Sequence, residues 1–586
     1  MNINKELTNK VDRLIEITKH LDTREVIGMI NVEFQVHFMQ RNVFEATNLI
    51  SPFKQYIYLL NLLLSNPKVE CEDQVAFEDS YEEIKKLLNE ISRLYAFIFF
   101  PENTEEISDT WRRHRELAMP VFMNYFNMHS LPYEEQIIER LIDWASPFNS
   151  TLQEAIGISV NESIEMYRYI QKMLQEQLTS TQNDTLQLLK AHEFFVALME
   201  REKIDFDIAM EKTREAFPSN NNPFEQDFFK INLSKFEDEF SVEKTECFFN
   251  VFSCEREESE FYYYTEKGNF DTRPIIKING QYYVPIYKQI LHAFEYRFFE
   301  ILENSDKRSS FFKNRDNKSE EKTKSIFEKL FGTDAEYFTS AFESPDSQNE
   351  HDLLIITKNN TIYIVEVKAS KFKEPFRDPD KAYQRIKRDF KSDGGIQKAY
   401  NQAKSLHDLI MKQERTDLYN QSGEVITSIE RSKIKAVYTI CVTAENFGIV
   451  ASNLSYLLEK GVEDKYPYAV NIFDLESIVE YIEYKKIPVI KFNEYLDFRS
   501  KYHDKLIAGD ELDIFGLFQN RFDIQKLNSV DKYFVSHEYS DIFDEMYFTK
   551  LGIIEKMPKP RAKHKNNHKT KNRKRMAKAS KRRNRK

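Results

Sequence analysis

The sequence predicts a multidomain α+β/α/β protein: a large helical N-terminal region, a central core of order αβββαβ, a helical C-terminal region and a disordered basic tail. Three observations predict it. Apolar residues of the first 260 positions recur at helical spacing; residues 318–483 change texture to short apolar runs between amphipathic helices; and residues 559–586 carry 15 Lys or Arg, no acid and no apolar period. The length of 586 residues, 41% hydrophobic and 14% aromatic, is enough for more than one core.

Taken in order, Val11, Leu14, Ile15 and Leu21 share one face of a first helix, and Tyr167, Ile170, Leu174 and Leu178 form a second i, i+3/i+4 stripe. Both read as core. The polar run Pro218–Pro223, with Asn220–Asn222, reads as a loop at a subdomain boundary within the helical region 1–260. Cys247 and Cys254, with six residues between them, lack a second ligand pair, which favours free thiols over zinc. Ile275–Val284 is a hairpin turned at Asn279-Gly280, followed by a helix over Tyr287–Leu302; together they make a small unit at 270–303. The charged, Ser- and Asn-rich stretch Asn304–Asn317 reads as a linker.

The central core, 318–483, opens with an amphipathic helix, Glu320–Phe331, placing Ile326, Phe327 and Leu330 inward and stopped by Gly332. A short strand near Tyr337–Thr339 precedes two apolar strands, Leu353–Ile356 and Ile362–Val365. A long helix, Gln397–Met411, a buried strand, Ala436–Val442, and a strand–helix pair over Ala469–Phe473 and Leu475–Ile482 complete it. Residues 485–550 return to helix and include the acidic run Asp510–Asp513.

Charge and composition bound the function. The tail holds about +15, and the preceding residues carry 69 basic against 95 acidic groups, near −26. That asymmetry points to an arm that binds nucleic acid or docks on the acidic body. Four Cys in this length argue for a reducing, cytoplasmic setting. No signal peptide is expected at Met1–Leu21, and the longest lipid-like run, Tyr56–Leu64, is about half a membrane span, so no membrane partner is expected. The sequence has no Gly-x-x-x-x-Gly-Lys-Ser/Thr, no His-Glu-x-x-His and no Gly-x-Ser-x-Gly, which excludes a built-in ATP motor, a zinc-helix protease and a serine-hydrolase elbow.

Chemistry concentrates in Glu350–Lys368. Glu366 and Lys368, two apart on a strand, share one face, while Val365 and Val367 take the other. If the turn spans Lys358–Asn360, Thr357 opposes Thr361 and Asp352 falls opposite Glu366, with Cβ atoms about 4.5–5.5 Å apart. Two carboxylates so close repel each other, and a divalent cation would resolve the repulsion. Mg²⁺, with Mn²⁺ as its substitute, would be held by Asp352 and Glu366, with Lys368 positioning water or offsetting charge on a phosphate.

An acid at a strand start followed by Glu-x-Lys on the next strand resembles the PD-(D/E)XK nuclease superfamily, and the resemblance covers about 318–480. It implies a restriction-endonuclease-like core and Mg²⁺-dependent cleavage of DNA, in preference to RNA, with a duty in genome defence or restriction. The matching positions are Asp352, Glu366 and Lys368. The superfamily often adds an acid from the first helix, here Glu321 with Glu328 as second choice, and a Gln from the following helix, here Gln397 or Gln402. Pro345-Asp346 falls beyond the second strand by the same pairing and is set aside.

Next to this hairpin, Lys381, Arg385 and Arg388 lie at i, i+4, i+7, opposite Ala382, Ile386 and Phe390, and form the candidate phosphate-contacting face. The tail would add sequence-independent attraction. The rival reading is a noncatalytic nucleic-acid-binding protein that uses a degenerate core and the tail; a third is a helical scaffold for proteins. The helical N-terminal region would engage a protein partner or a second copy of the chain.

Overall fold

The computed structural model describes residues 3–40, 48–69, 77–101, 107–127, 132–200, 204–217 and 229–553, except 348, 372 and 521–526. The tail 559–586 and the boundary loop at 218–223 lie outside the described residues. Among the described residues no helix is long and apolar enough to cross a membrane.

The N-terminal half is helical. Val11, Leu14 and Leu21 are buried and Ile15 half-buried, and they share a core with the buried apolar residues of α1 (Pro52–Ser65). The second stripe, Tyr167, Ile170 and Leu174, is buried in a separate core with Phe248, Phe252, Phe294 and Phe298. α2 (Asp109–Asn127) and α3 (Glu134–Ala145) follow in the chain. A three-stranded sheet joins β1 (Ser253–Cys254), β2 (Ile275–Ile278) and β3 (Gln281–Tyr283), and the β2–β3 turn has φ +49 and +76 at Asn279 and Gly280. This is the left-handed pair that a two-residue hairpin needs. Cys254 is buried, with its Sγ donating to the Arg273 carbonyl at 3.1 Å, and Cys247 is half-buried; both are free thiols.

The linker expected at Asn304–Asn317 is not one. After α4 (Gln289–Glu303) a single helix, α5 (Arg308–Phe331), runs through it into the core. Its polar composition reflects an exposed face: Phe311 is buried against Phe299 and Phe148, and Asn314 donates to the Asp143 and Trp144 carbonyls at the end of α3. Composition alone reads such a helix as loop because few of its residues touch a core.

The central sheet has seven strands: β4 (Ala335–Phe342), β5 (Glu350–Thr357), β6 (Thr361–Lys368), β7 (Arg415–Tyr419), β8 (Val425–Glu430), β9 (Ala436–Thr443) and β10 (Tyr468–Asn471), in spatial order β10-β9-β6-β5-β4-β7-β8. β4, β5 and β6 form an antiparallel meander, and β9 and β10 add in parallel to β6. Between β6 and β9 the chain makes α6 (Pro379–Lys391), α7 (Ile396–Lys412) and the β7–β8 hairpin. α7 covers one face through Ala403, Leu406 and Ile410 against Leu354, Ile362 and Ile364. The other face, with Leu353, Ile355, Tyr363 and Val365, packs on α5, α8 (Ile472–Lys485) and α9 (Ile490–Tyr502). Period-2 alternation sorts the two sets, as a sheet buried on both faces requires.

The C-terminal region is helical except for a two-stranded parallel pair, Leu506–Ile507 with Tyr533–Phe534. A buried ion pair, Arg499 Nε to Glu511 Oε1 at 2.6 Å, ties its helices together, and Arg499 Nη2 donates to the Ser452 carbonyl of the core.

Candidate active site

The site forms where the β5–β6 ladder ends. The pairing runs Ile356↔Ile362, Ile355↔Tyr363, Leu354↔Ile364 and Leu353↔Val365, so Asp352 and Glu366 are next in register. There the Asp352 side chain takes over from the ladder: its Oδ2 accepts the Val367 N–H at 2.7 Å. Lys368 Nζ lies 3.5 Å from Asp352 Oδ2 and 3.8 Å from Glu366 Oε2. The strand therefore turns Asp352, Glu366 and Lys368 toward one point. Asp352 and Lys368 keep a sliver of exposure and Glu366 none.

Glu366 is held from behind. Its Oε1 is 2.8 Å from His351 Nδ1, and the other ring nitrogen is 3.2 Å from Glu343 Oε1, which accepts from Ser405 Oγ on α7 at 2.7 Å. Strict alternation would turn His351 away from Glu366. The regular pattern breaks here: β4 pairs with β5 at Thr339↔Leu353 and Ala341↔His351 but not between them, where Ser340 has φ +53.

Burial pushes the Glu366 carboxyl up to about 7, and the Asp352 charge adds to it while His351 and Lys368 oppose. Burial would lower the His351 pKa, but hydrogen bonding and charge from Glu366 and Glu343 outweigh it, and the ring is raised. Glu366 Oε2 is buried and has no hydrogen-bond partner. An orphaned carboxylate oxygen in such a place costs free energy that a bound cation would recover.

The helix acid that faces this point is Glu320, not Glu321. Glu320 is half-buried, and its carboxyl is pushed up to about 7 by burial and by the Asp352 and Glu350 charges. Glu321 is exposed and pairs with Lys318 at 2.6 Å, and Glu328 lies near Lys324 on the surface. One residue along a helix turns a side chain by about 100° around the axis, which separates Glu320 from Glu321.

Of the two glutamines, Gln397 is occupied elsewhere: its Nε2 donates to the Glu459 carbonyl and its Oε1 accepts the Glu459 N–H, at 2.9 and 2.8 Å. Gln402 is half-buried with an unpartnered buried Oε1, three residues before Ser405 and so on the same side of α7. α6 presents Lys381 and Arg388 to solvent. Arg385 instead turns inward, its Nη1 donating to the Glu374 carbonyl at 2.9 Å and its guanidinium 4.1 Å from the Phe376 ring centre. It braces the segment after β6 and is not a free phosphate contact. That segment is also packed closely by the α6–α7 turn: a Cβ at Gly394 would stand 1.6 Å from Ser370 Oγ.

Asp352 and Glu366 supply oxygen donors only, which suits a hard cation such as Mg²⁺ that keeps several waters. Among the described residues no three His, Cys, Asp or Glu side chains gather into a closed metal cage. Two carboxylates plus solvent is the donor set that the geometry offers.

Residues 315–431 match the family model of the nuclease-related domain, NERD. The match covers about a fifth of the chain, from α5 through β8, and contains every side chain named at the site. It supports a nuclease domain acting on nucleic acid. No curated protein and no solved structure matches the chain.

Proposed function

We propose that the chain is a Mg²⁺-dependent phosphodiesterase of the PD-(D/E)XK kind that hydrolyses DNA, with Mn²⁺ able to substitute, in a cytoplasmic defence or restriction role. The observation that carries this reading is the convergence of Asp352, Glu366 and Lys368 at the end of one hairpin, with the Glu366 Oε2 oxygen buried and without a hydrogen bond.

Asp352 and Glu366 would hold the cation, which when bound supplies Lewis-acid charge beside the scissile phosphate. The Asp352 carboxylate is fixed by the Val367 N–H, and Glu366 by His351, so neither needs to reorganise. The Lys368 ammonium positions water or offsets charge growing on the phosphate. Glu320, across the opening, can hold a solvent proton. Lys381, Arg388 and the 559–586 tail would attract the polyanion without reading its sequence. The helical N-terminal region would dock a protein partner or a second copy.

The test is incubation of the full-length chain with linear and supercoiled DNA, and with RNA of the same sequence, in Mg²⁺ or EDTA. Cutting of DNA in Mg²⁺ but not in EDTA, with RNA cut more slowly, is expected. Cutting that survives EDTA, or no cutting of any substrate, overturns the reading.

A further inference from the structure

A cavity of about 140 Å³ lies between α1, the end of α2, the segment 261–271 and Glu374 in the stretch after β6. Its wall carries charges of both signs, Lys54 and Lys267 against Glu266, Asp271 and Glu374, and the residues Tyr58 and Tyr264; Glu266 is engaged, accepting the Tyr263 N–H and pairing with Arg377. Asp271 is already engaged, accepting from the Gly268 N–H and from Asn61 Nδ2, and Lys267 lies 4.4 Å over the Tyr296 ring. Lys54 and the Glu374 carboxylate are different. Among the described residues neither the Lys54 ammonium nor the Glu374 carboxylate makes an ion pair or a hydrogen bond, although both residues line the same space.

Burial lowers the Lys54 pKa against the pull of Asp271 and Glu374, and burial raises that of Glu374 against Lys267 and Arg385. The two charges are thus partly desolvated, close enough to feel each other, and separated by a void. A poorly solvated charge is costly unless something pairs with it. A ligand that answers both must carry an anion for Lys54 and a cation for Glu374. The tyrosine rings favour an ammonium. Size sets the limit: the cavity is well below the roughly 300–1,000 Å³ of pockets for drug-sized ligands, too small for a nucleotide and adequate for an amino acid.

We propose that this cavity binds a free amino acid, with its carboxylate on Lys54 and its ammonium on Glu374. The site is separate from the Asp352–Glu366–Lys368 hairpin and stands without it. The test uses the full-length chain, with the standard L-amino acids added one by one, first by thermal unfolding and then by calorimetry. The amine and the acid that remain after removing the carboxylate or the ammonium of the best binder serve as half-ligands. At least one amino acid should bind at a single site. Each half-ligand should bind at least about tenfold more weakly, and Lys54→Met and Glu374→Gln should each weaken binding by at least about tenfold. If Lys54→Met does not fold, Glu374→Gln decides. Failure of every amino acid to bind, half-ligands binding equally well, or unchanged affinity in folded variants overturns the proposal.

Discussion

Lys368→Met should lower the single-turnover rate of DNA cleavage by about 10²–10³-fold or more while leaving the fold and DNA affinity unchanged. The side chain is mostly buried at the end of β6, so a methionine of similar length keeps the packing of its stem and removes only the ammonium. Without that charge, Asp352 and Glu366 face each other with less compensation. Divalent-ion binding should therefore persist or tighten in the variant. This separates loss of chemistry from loss of metal. A rate within about threefold of the unmodified chain, in saturating Mg²⁺, would remove Lys368 from the reaction.

Asp513→Asn should stabilise the protein, increasingly so as pH rises. Asp474, Asp510 and Asp513 are buried together at the start of α10 (Glu511–Gln519), where Asp510 Oδ1 caps the Asp513 N–H at 3.0 Å and Asp474 Oδ2 accepts the Glu511 N–H at 3.2 Å. Burial pushes Asp513 up to about 9, with the Asp510, Asp474 and Asp541 charges adding and Ser540 opposing. Burial pushes Asp510 up to about 6, with His537 and Asp544 also near it, and burial raises Asp474.

A carboxyl raised in the fold keeps its proton where the unfolded chain has released it. Stability is therefore lost as pH climbs from the unfolded value near 3.8 toward about 9. An amide at 513 has no such cost and can donate to a neighbouring carboxylate. The gain should be near zero at about pH 4 and at least about 2 kcal/mol at about pH 8. Thermal unfolding of both proteins across that range checks it. A gain that does not change with pH, or destabilisation at about pH 8, would contradict it.

The hairpin that carries the site was readable because its determinants are local. Lys358–Asn360 forces a tight turn, and counting outward from it places Asp352 next to Glu366. β5 and β6 are visible as apolar runs for the same reason: strands buried on both faces leave no polar alternation to confuse them. What escaped depends on contacts distant in sequence. Strict alternation assigns His351 to the face away from Glu366, so no period reveals the contact that its ring makes with that carboxylate. Glu320 and Glu321 are equivalent in composition, and only the helix rotation set by Phe311, Ile326 and Phe327 distinguishes them.

Arg385 fits the basic stripe of α6, yet the chain after β6 folds back to capture it. The β7–β8 hairpin went unread because, at the edge of the sheet, only Thr416, Leu418 and Ile429 need be buried. Its turn signal is Gly423, at φ +77, after Asn420.

The proposed role of Asp352 and Glu366, as a pair that holds one divalent ion, has a direct test. That test is Mn²⁺ binding followed by electron paramagnetic resonance. The full-length chain should bind one Mn²⁺ that Mg²⁺ displaces, and Asp352→Asn and Glu366→Gln should each weaken that site at least about tenfold. Mn²⁺ binding that is unchanged in both variants, or absent from the unmodified chain with and without DNA, would contradict it.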